Sequence, residues 1–367
     1  MKKQHTIFIL LILIAVASKA QEIIPLDTSN WQIQARSYLL ENYEGKASIY
    51  LQGGTAELKG TKFLNGTIEF DVYLRKEQGF PGVYFRAFNN DNHESFYLRP
   101  HQSGNPDANQ ASPVINGISP WQLYFGPRYS FAYNYSYDRW THVKIIVNGQ
   151  KAQVFLDYAE KPNLSWNLVH PAQEGKVGFG GGFAAMHYAN FTIDKTKTEI
   201  NDFNPIERKP IKRIVQNWQI SEMFEERLLQ KPKSRDSLIS KIKWQGDLHI
   251  DEGVAANISR KQTLFNGSPG NTVFAKIIIT SDRDQLKLFD FGYSDRVVAI
   301  LNGVPIYRGN NKWRSRDYRY LGTIGLFDSI YLNLKKGENT LLFAVSEDFG
   351  GWLITGRFED STGVKVK

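Results

Sequence analysis

Two antiparallel β-sandwich domains in tandem, an all-β chain, are what this sequence predicts, and three observations predict it. Apolar and polar residues alternate with period two over several runs, the periodicity that places successive side chains on opposite faces of a sheet. Tyr, Phe, Val, Ile and Thr are plentiful and Gly reaches 30, while apolar stripes at helical spacing are scarce. Finally, 367 residues exceed what one hydrophobic core usually serves.

The chain opens with Lys2 and Lys3, an apolar run over 7–17, and Ser18-Lys19-Ala20. These are the three parts of a secretory leader cleaved before Gln21, so the expected location is secreted or periplasmic. The apolar run is shorter than the roughly 20 residues that span a bilayer, and no membrane span is expected. There is no cysteine, so packing rather than disulfides must hold the exported chain together. The formal net charge of +8 sits in the leader and in residues 207–243, which hold ten Lys or Arg against five Asp or Glu. A basic connector of this kind reads as a solvated segment, and nucleic acid is not an expected partner.

Residues 21–196 read as the first domain. Residues 31–33 and 49–52 are short strands, with a turn at Gly53-Gly54, and 66–74 is a strand with Ile68, Phe70, Val72 and Leu74 inward. In 82–88 the alternation sets Val83, Phe85 and Ala87 inward and Tyr84, Arg86 and Phe88 outward. In 94–99 it sets Phe96 and Leu98 against Ser95, Tyr97 and Arg99, and Trp121, Leu123 and Phe125 oppose Gln122 and Tyr124. The polar loop 100–120 carries His101, Gln102, Asn105 and Asp107, and loops of that length are usually functional. Tyr129, Phe131, Tyr133, Tyr135 and Tyr137 put five rings on one face if extended. They serve either as a stacking surface for sugar rings or as sandwich interior, burial being the commoner fate of aromatic rings. The run RWTHVKIIVNGQKAQVFLD is a hairpin turning at Asn148-Gly149, and strands at 176–180 and 188–193 close the domain.

The runs GTIEFDVYL, GVYFRAF, RWTHVKIIVNGQKAQVFLD, GKVGFGG and YANFTI, in that order, resemble the concanavalin A-like lectin/glucanase superfamily. Within it the likeness is to laminin G-like modules and keto-disaccharide hydrolase-type domains of exported bacterial proteins. The resemblance implies a curved two-sheet jelly roll that often holds a glycan on its concave face, and it implies no particular reaction.

Residues 197–216, with Pro205 and Pro210, read as a linker. The second domain, 217–367, has strands at 218–224, 244–250, 272–280, 285–291, 296–301, 329–334, 340–345 and 351–358, with a charged surface helix or loop over 225–241. DFGYSDRVVAILNGVPIYRG and LNLKKGENTLLFAVSEDFGGW resemble the galactose-binding-like jelly roll of carbohydrate-binding modules, with turns at Asn302-Gly303 and at 336–339. Its most site-like loop holds Trp313, Arg314, Arg316, Asp317, Tyr318 and Arg319.

Several chemistries find little support. Glu69-Phe70-Asp71 matches the opening of the jelly-roll glucanase strand, but Tyr73 and Leu74 stand where its final acid belongs. Retaining hydrolysis needs two carboxyl groups about 5 Å apart, so both acids are assigned to a solvated strand face. The seven His form no HExxH pair, no G-x-S-x-G elbow occurs, and no cofactor is expected. Ser281-Asp282-Arg283-Asp284 is the one run offering oxygen ligands to Ca²⁺.

The leading expectation is an exported glycan-binding protein. Arg86, Tyr97, Arg99, His101, Gln102, Asp107, Gln122 and Tyr124 form its site, the guanidinium groups suited to hydroxyls or to an acidic polysaccharide. A second expectation is a glycoside hydrolase in the same cleft, with Asp107 or Glu94 as acid or base and His101 assisting. A third is an adhesive or scaffold module docking a protein partner.

Overall fold

The computed structural model describes residues 23–181, 184–264, 267–313, 315 and 323–367. The expected leader, residues 1–20, and Arg314, Arg316, Asp317, Tyr318 and Arg319 lie outside them. The described chain is two antiparallel β-sandwich domains with little helix, and no described helix is long and apolar enough to cross a membrane.

The first domain holds β1 (Trp31–Tyr43), β2 (Lys46–Leu58), β3 (Gly66–Leu74), β4 (Gly82–Asn89), β5 (Asn92–Leu98) and β6 (Asn109–Val114). It continues with β7 (Arg139–Asn148), β8 (Lys151–Leu156), β9 (Leu164–Asn167), β10 (Lys176–Gly181) and β11 (Met186–Asp194). The first half of β2 pairs with β11 and leads into β3, β7, β8 and β9; its second half pairs with β10 and leads into β4, β5 and β6. One bent strand therefore belongs to both sheets. The bend is at Gly53-Gly54, which is a kink within a strand rather than the expected turn. Both residues have positive φ, and a Cβ on Gly54 would stand 2.1 Å from the Gln34 carbonyl oxygen.

Between the sheets Trp31 meets Phe179 of the β4 sheet at 4.7 Å and Phe191 of the β3 sheet at 4.9 Å, as ring centroids. This aromatic core, with Phe70, Phe85, Phe96 and Tyr188, is the inward half of each alternating run.

In the second domain β12 (Asn217–Ser221) is followed by the ten-residue helix α1 (Pro232–Lys241), β13 (Trp244–Asp251), β14 (Ala255–Asn257), β15 (Thr272–Ser281), β16 (Gln285–Tyr293) and β17 (Asp295–Leu301). Then come β18 (Val304–Asn311), β19 (Asp328–Leu334), β20 (Gly337–Ser346), β21 (Leu353–Phe358) and β22 (Val364–Val366). Strand β13 is shared between the two sheets, pairing first with β12 and then with β14. Trp218, Phe289, Phe291, Phe343 and Trp352 fill the space between them.

Three local expectations are corrected. The run 121–125 is a turn, not a strand, because the Leu123 and Tyr124 amides both donate back to the Pro120 carbonyl, at 2.9 and 3.2 Å. Within the 100–120 loop lies a strand that was not expected, β6. The aromatic run 129–137 is extended but outside the sheet, and its rings pack toward the core: Tyr129 and Tyr135 are buried, with Phe131, Tyr133 and Tyr137 packed against the same cluster.

Candidate functional site

The site is built on the outer face of the β4 sheet. Val177 and Phe179 of β10 point into the core, so Gly178 and Gly180 point out and leave the middle of that face without side chains. Tyr84, paired across from Gly178, lies over the vacant position; a Cβ there would stand 2.4 Å from the Tyr84 hydroxyl. A groove of about 460 Å³ results, running from Gln32 and Gln34 on β1, past Thr55 and Glu57 on β2, to Tyr84, Asn89 and His93. Lys176 Nζ meets Glu57 Oε1 at 2.8 Å, and the Tyr84 hydroxyl donates to Glu57 Oε2 at 3.5 Å. Burial, helped by the Glu57 carboxylate, raises the Tyr84 phenol above its ordinary range, so it stays a donor. Burial and the neighbouring His170 hold His93 down to about 4, so its imidazole is neutral at pH 7. The Tyr84 and His93 rings stand 5.2 Å apart. The groove thus offers one half-buried aromatic ring, amides, a neutral imidazole and one internally paired carboxylate.

Of the expected site residues, Tyr97, Arg99, His101, Gln102 and Asp107 come together, at the far end of the same sheet. Arg99 donates to the Asp107 and Asn109 carbonyls at 2.9 and 3.3 Å, to the Tyr97 hydroxyl at 3.1 Å, and to Gln110 Oε1. Its guanidinium therefore fastens the 100–108 loop instead of facing solvent. Gln102 accepts from Asn105 within that loop, and Phe80 abuts both His101 and Tyr97 edge-on at 5.4 and 5.9 Å. Burial first and Arg99 second push the His101 pKa down.

Four expected residues are placed elsewhere. Arg86 is 1% exposed and does not point outward with Tyr84. It has φ of 54°, and β4 carries one extra residue between Tyr84 and Ala87 against β10, where Gly178 and Lys176 are their partners. This bulge reverses the parity of every later side chain. Ala87 consequently lines the groove, and Arg86 turns inward to donate to the Leu64 and Gly149 carbonyls, at 2.7 Å each, and to Asn65. Glu94 shares the parity of Phe96 and is equally interior, accepting from the Val169 and His170 amides at 2.7 and 2.6 Å. Burial pushes its carboxyl up to about 7 against those two bonds, but it does not face the groove.

Gln122 and Tyr124 are buried between the two domains, not in a trough. Gln122 Oε1 accepts from the Gly351 amide at 2.6 Å, and the Tyr124 hydroxyl donates to Asp251 Oδ2 at 3.2 Å. Arg128 with Glu252 at 2.9 Å, Asn116 Nδ2 donating to the Ser259 carbonyl at 2.8 Å, and the Ile324 amide donating to the Gln122 carbonyl at 3.0 Å add to that contact. In the second domain Trp313 is 43% exposed; Arg316, Asp317 and Tyr318 lie outside the described residues. Asp284 accepts from the Lys336 amide and pairs with Lys335 at 3.0 Å, while Asp282 accepts from Gln285. These bonds hold the β15–β16 turn against the β19–β20 turn. Among the described residues no three His, Asp or Glu are grouped to hold a metal ion.

The groove residues Gln32, Gln34, Glu57, His93 and Lys176 are ones that sequence reasoning missed. A signal was present. Gln32 and Gln34 alternate with Trp31 and Ile33, and Gly178 and Gly180 alternate with Val177 and Phe179. Two outward glycines on one strand, beside strands with amides outward, mark a sheet face where a neighbouring group lies close to the backbone.

No protein-family model matches this chain, and no curated protein matches it. Solved structures do. A carbohydrate-binding module, CBM66, from Bacillus subtilis is 13% identical with a TM-score of 0.35, over 45% of this chain and 95% of that one. A galectin from Caenorhabditis elegans, LEC-6, is 13% identical with a TM-score of 0.28, over 44% and 99%. A glycosyl hydrolase family protein from Mycobacterium fortuitum is 13% identical with a TM-score of 0.30, over 46% and 92%.

Proposed function

We propose that the protein is an exported glycan-binding protein that holds a sugar chain along the outer face of the β4 sheet. The observation that carries this reading is the groove itself, walled by Tyr84, which the absence of a side chain on Gly178 lets lie against the sheet, among amide side chains. A pyranose has an apolar C–H face and a rim of hydroxyls; Tyr84 suits the first, and Gln32, Gln34, Asn89 and neutral His93 suit the second. Export rests on the leader pattern of residues 1–20. The chain bound is neutral rather than acidic. Arg86 and Arg99 spend their guanidinium groups inside the domain, and the groove's own cation, Lys176, is paired with Glu57.

Binding is favoured over hydrolysis for a geometric reason. Acid/base cleavage needs two carboxyl groups, about 5 Å apart for retention and about 6.5–9.5 Å for inversion. The groove lining supplies Glu57 alone.

Affinity electrophoresis in native gels containing laminarin, xylan or alginate tests the proposal. The wild-type chain should be retarded by a neutral polysaccharide. Tyr84→Ala should bind it about tenfold more weakly, the equivalent of about 1.4 kcal/mol, as expected for a lost ring contact. Equal retardation of wild type and Tyr84→Ala on every polysaccharide would refute the assignment of the groove.

A further inference from the structure

The opposite outer face of the first sandwich carries a second group of side chains that the groove does not use. Across β3 and β7, Tyr73 pairs with Trp140, Asp71 with His142 and Glu69 with Lys144, so these six side chains lie on one surface. Asp71 is not the solvated residue expected from the sequence. Its side chain is 2% exposed, and it receives Lys46 Nζ and Asn190 Nδ2, both at 2.6 Å, and His142 Nδ1 at 2.8 Å. The other ring nitrogen, His142 Nε2, lies 3.1 Å from Glu69 Oε2. With a carboxylate at each nitrogen, both must carry hydrogen, and the ring is an imidazolium. Glu69 remains partly open to solvent, with Oε1 outside this pairing.

Tyr158 covers that imidazolium. The two rings are parallel to within 6° at 4.1 Å between centroids, yet Tyr158 is 74% exposed, so its other face looks into solvent. The chain accepts backbone strain to put it there. Asp157 and Tyr158 are consecutive left-handed residues, with φ of 49° and 61°, a rare conformation for a bulky side chain. Such residues persist when their surroundings over-determine them. Here the Asp157 amide donates to the His142 carbonyl at 2.9 Å, and its carboxylate accepts from the His142 amide at 3.1 Å and from the Tyr133 hydroxyl at 2.7 Å. These bonds fix Asp157, and the turn they hold lays Tyr158 over His142 with its other face outward.

Past Glu69 the same face opens into a groove of about 550 Å³ between β7, β8 and residues 196–202. Lys144, Glu160, Lys197 and Glu199 line it beside Ile146 and Phe155, and Lys144 Nζ stands 5.3 Å from the centre of the Phe155 ring. Thr67, Asn148 and Gln153 spend their side-chain donors on the carbonyls of Lys197, Thr198 and Asn201 and so fasten the far wall.

We infer that this face is a second, independent sugar-binding surface, with Tyr158 as the stacking platform. A pyranose stacks on the open face of Tyr158, and a longer chain continues toward the groove that Lys144 lines. The chemistry selects a sugar over an apolar peptide. The ring lies over an imidazolium bonded to Glu69, and the groove beyond mixes charged side chains with Ile146, Phe155 and Pro162, an amphipathic lining matched by a sugar's apolar face and hydroxyl rim. Two binding faces on opposite sides of one sandwich would let a single molecule bridge two glycan chains.

The experiment compares wild type, Tyr84→Ala, Tyr158→Ala, Tyr158→Phe and the Tyr84→Ala/Tyr158→Ala double variant in native gels with laminarin, xylan and alginate. Thermal unfolding of each variant verifies the fold. Tyr84→Ala should keep part of the retardation on at least one polysaccharide, and the double variant should lose it. Tyr158→Ala should weaken that residual binding about tenfold, and Tyr158→Phe, which keeps the ring, should not. The inference is overturned if Tyr158→Ala matches wild type on all three polysaccharides or Tyr158→Phe binds as weakly as Tyr158→Ala. Abolition of all retardation by Tyr84→Ala alone, or no retardation of the wild type on any of them, overturns it equally.

Discussion

Replacing His142 by Gln should destabilise the first domain in a way that disappears as the pH rises. Burial works against the imidazolium, but its hydrogen bonds to Asp71 and Glu69 and their charges outweigh burial and hold His142 up at about 9. Both carboxyls are correspondingly lowered; for Glu69 the bond from His142 is the largest cause, and for Asp71 the bonds from His142 and Lys46 outweigh burial. They stay ionised throughout, so only the imidazole titrates in the window that matters. A rise from 6.5 to about 9 is worth about 3 kcal/mol at 1.36 kcal/mol per pKa unit. Solvent at Glu69 reduces this to about 2 kcal/mol. Because the folded-state value is the higher one, the stabilisation is complete below about 6.5 and is lost as the pH climbs through 9. Urea unfolding of wild type and His142→Gln at pH 6 and at pH 10 measures it. The difference should be about 2 kcal/mol at pH 6 and below about 0.5 kcal/mol at pH 10, and the His142 ring proton should titrate near 9 by NMR. An unchanged difference at the two pH values, or a midpoint near 6.5, would show that the ring is not held as an imidazolium.

Three further outcomes follow from the same coordinates. Arg86→Ala removes the bonds to Leu64, Asn65 and Gly149 and takes from Glu94 the larger of the two cationic influences on it, leaving Arg260. It should cost about 3–5 kcal/mol in urea unfolding while leaving retardation on polysaccharide gels unchanged. Gly178→Ala places a methyl group 2.4 Å from both the Ala56 carbonyl oxygen and the Tyr84 hydroxyl, so it should lower stability by about 1–3 kcal/mol and abolish binding in the Tyr84 groove. Glu347 is fully buried, its carboxyl raised first by burial and then by Asp295, and its Oε2 has no partner. Its folded-state pKa lies above the unfolded one, so wild-type stability falls relative to Glu347→Gln as pH rises past about 4.5. The variant should melt higher at pH 7 and level with wild type at pH 4.

How far the sequence could be read depended on whether parity along a strand was left undisturbed. In β3, β7 and β8 the inward and outward sets run without a break, and the hairpin expected to turn at Asn148-Gly149 turns one residue later, at Gly149-Gln150, with Asn148 paired to Lys151 and the glycine first in the turn. In β4 the same reasoning holds up to Phe85 and fails at Arg86, because nothing in Phe-Arg-Ala signals that one residue will bulge at positive φ. Trp121, Leu123 and Phe125 alternate like a strand, yet the segment is a turn with Gln122, Leu123 and Tyr124 all buried. Contact with a second domain buries both sides of such a segment and erases the distinction that alternation measures.

Composition and period-two patterning by themselves determined that this chain is all-β, that it forms two sandwiches, and that Phe70, Phe85 and Phe96 face the first core. Those properties depend on local alternation and on how much apolar surface must be hidden. Tertiary structure alone decided which polar side chains remain available to a ligand. Arg86, Arg99, Gln122 and Tyr124 looked free on their strands but are consumed by backbone carbonyls, a backbone amide and a carboxylate on other segments. Gln32, Glu57, Lys176 and Tyr84, from four separate strands, meet only because β2 bends at two glycines and β10 presents glycine outward. A buried polar group must find a partner wherever the fold places it, and that partner is set by the packing of the whole chain, not by the neighbours along it.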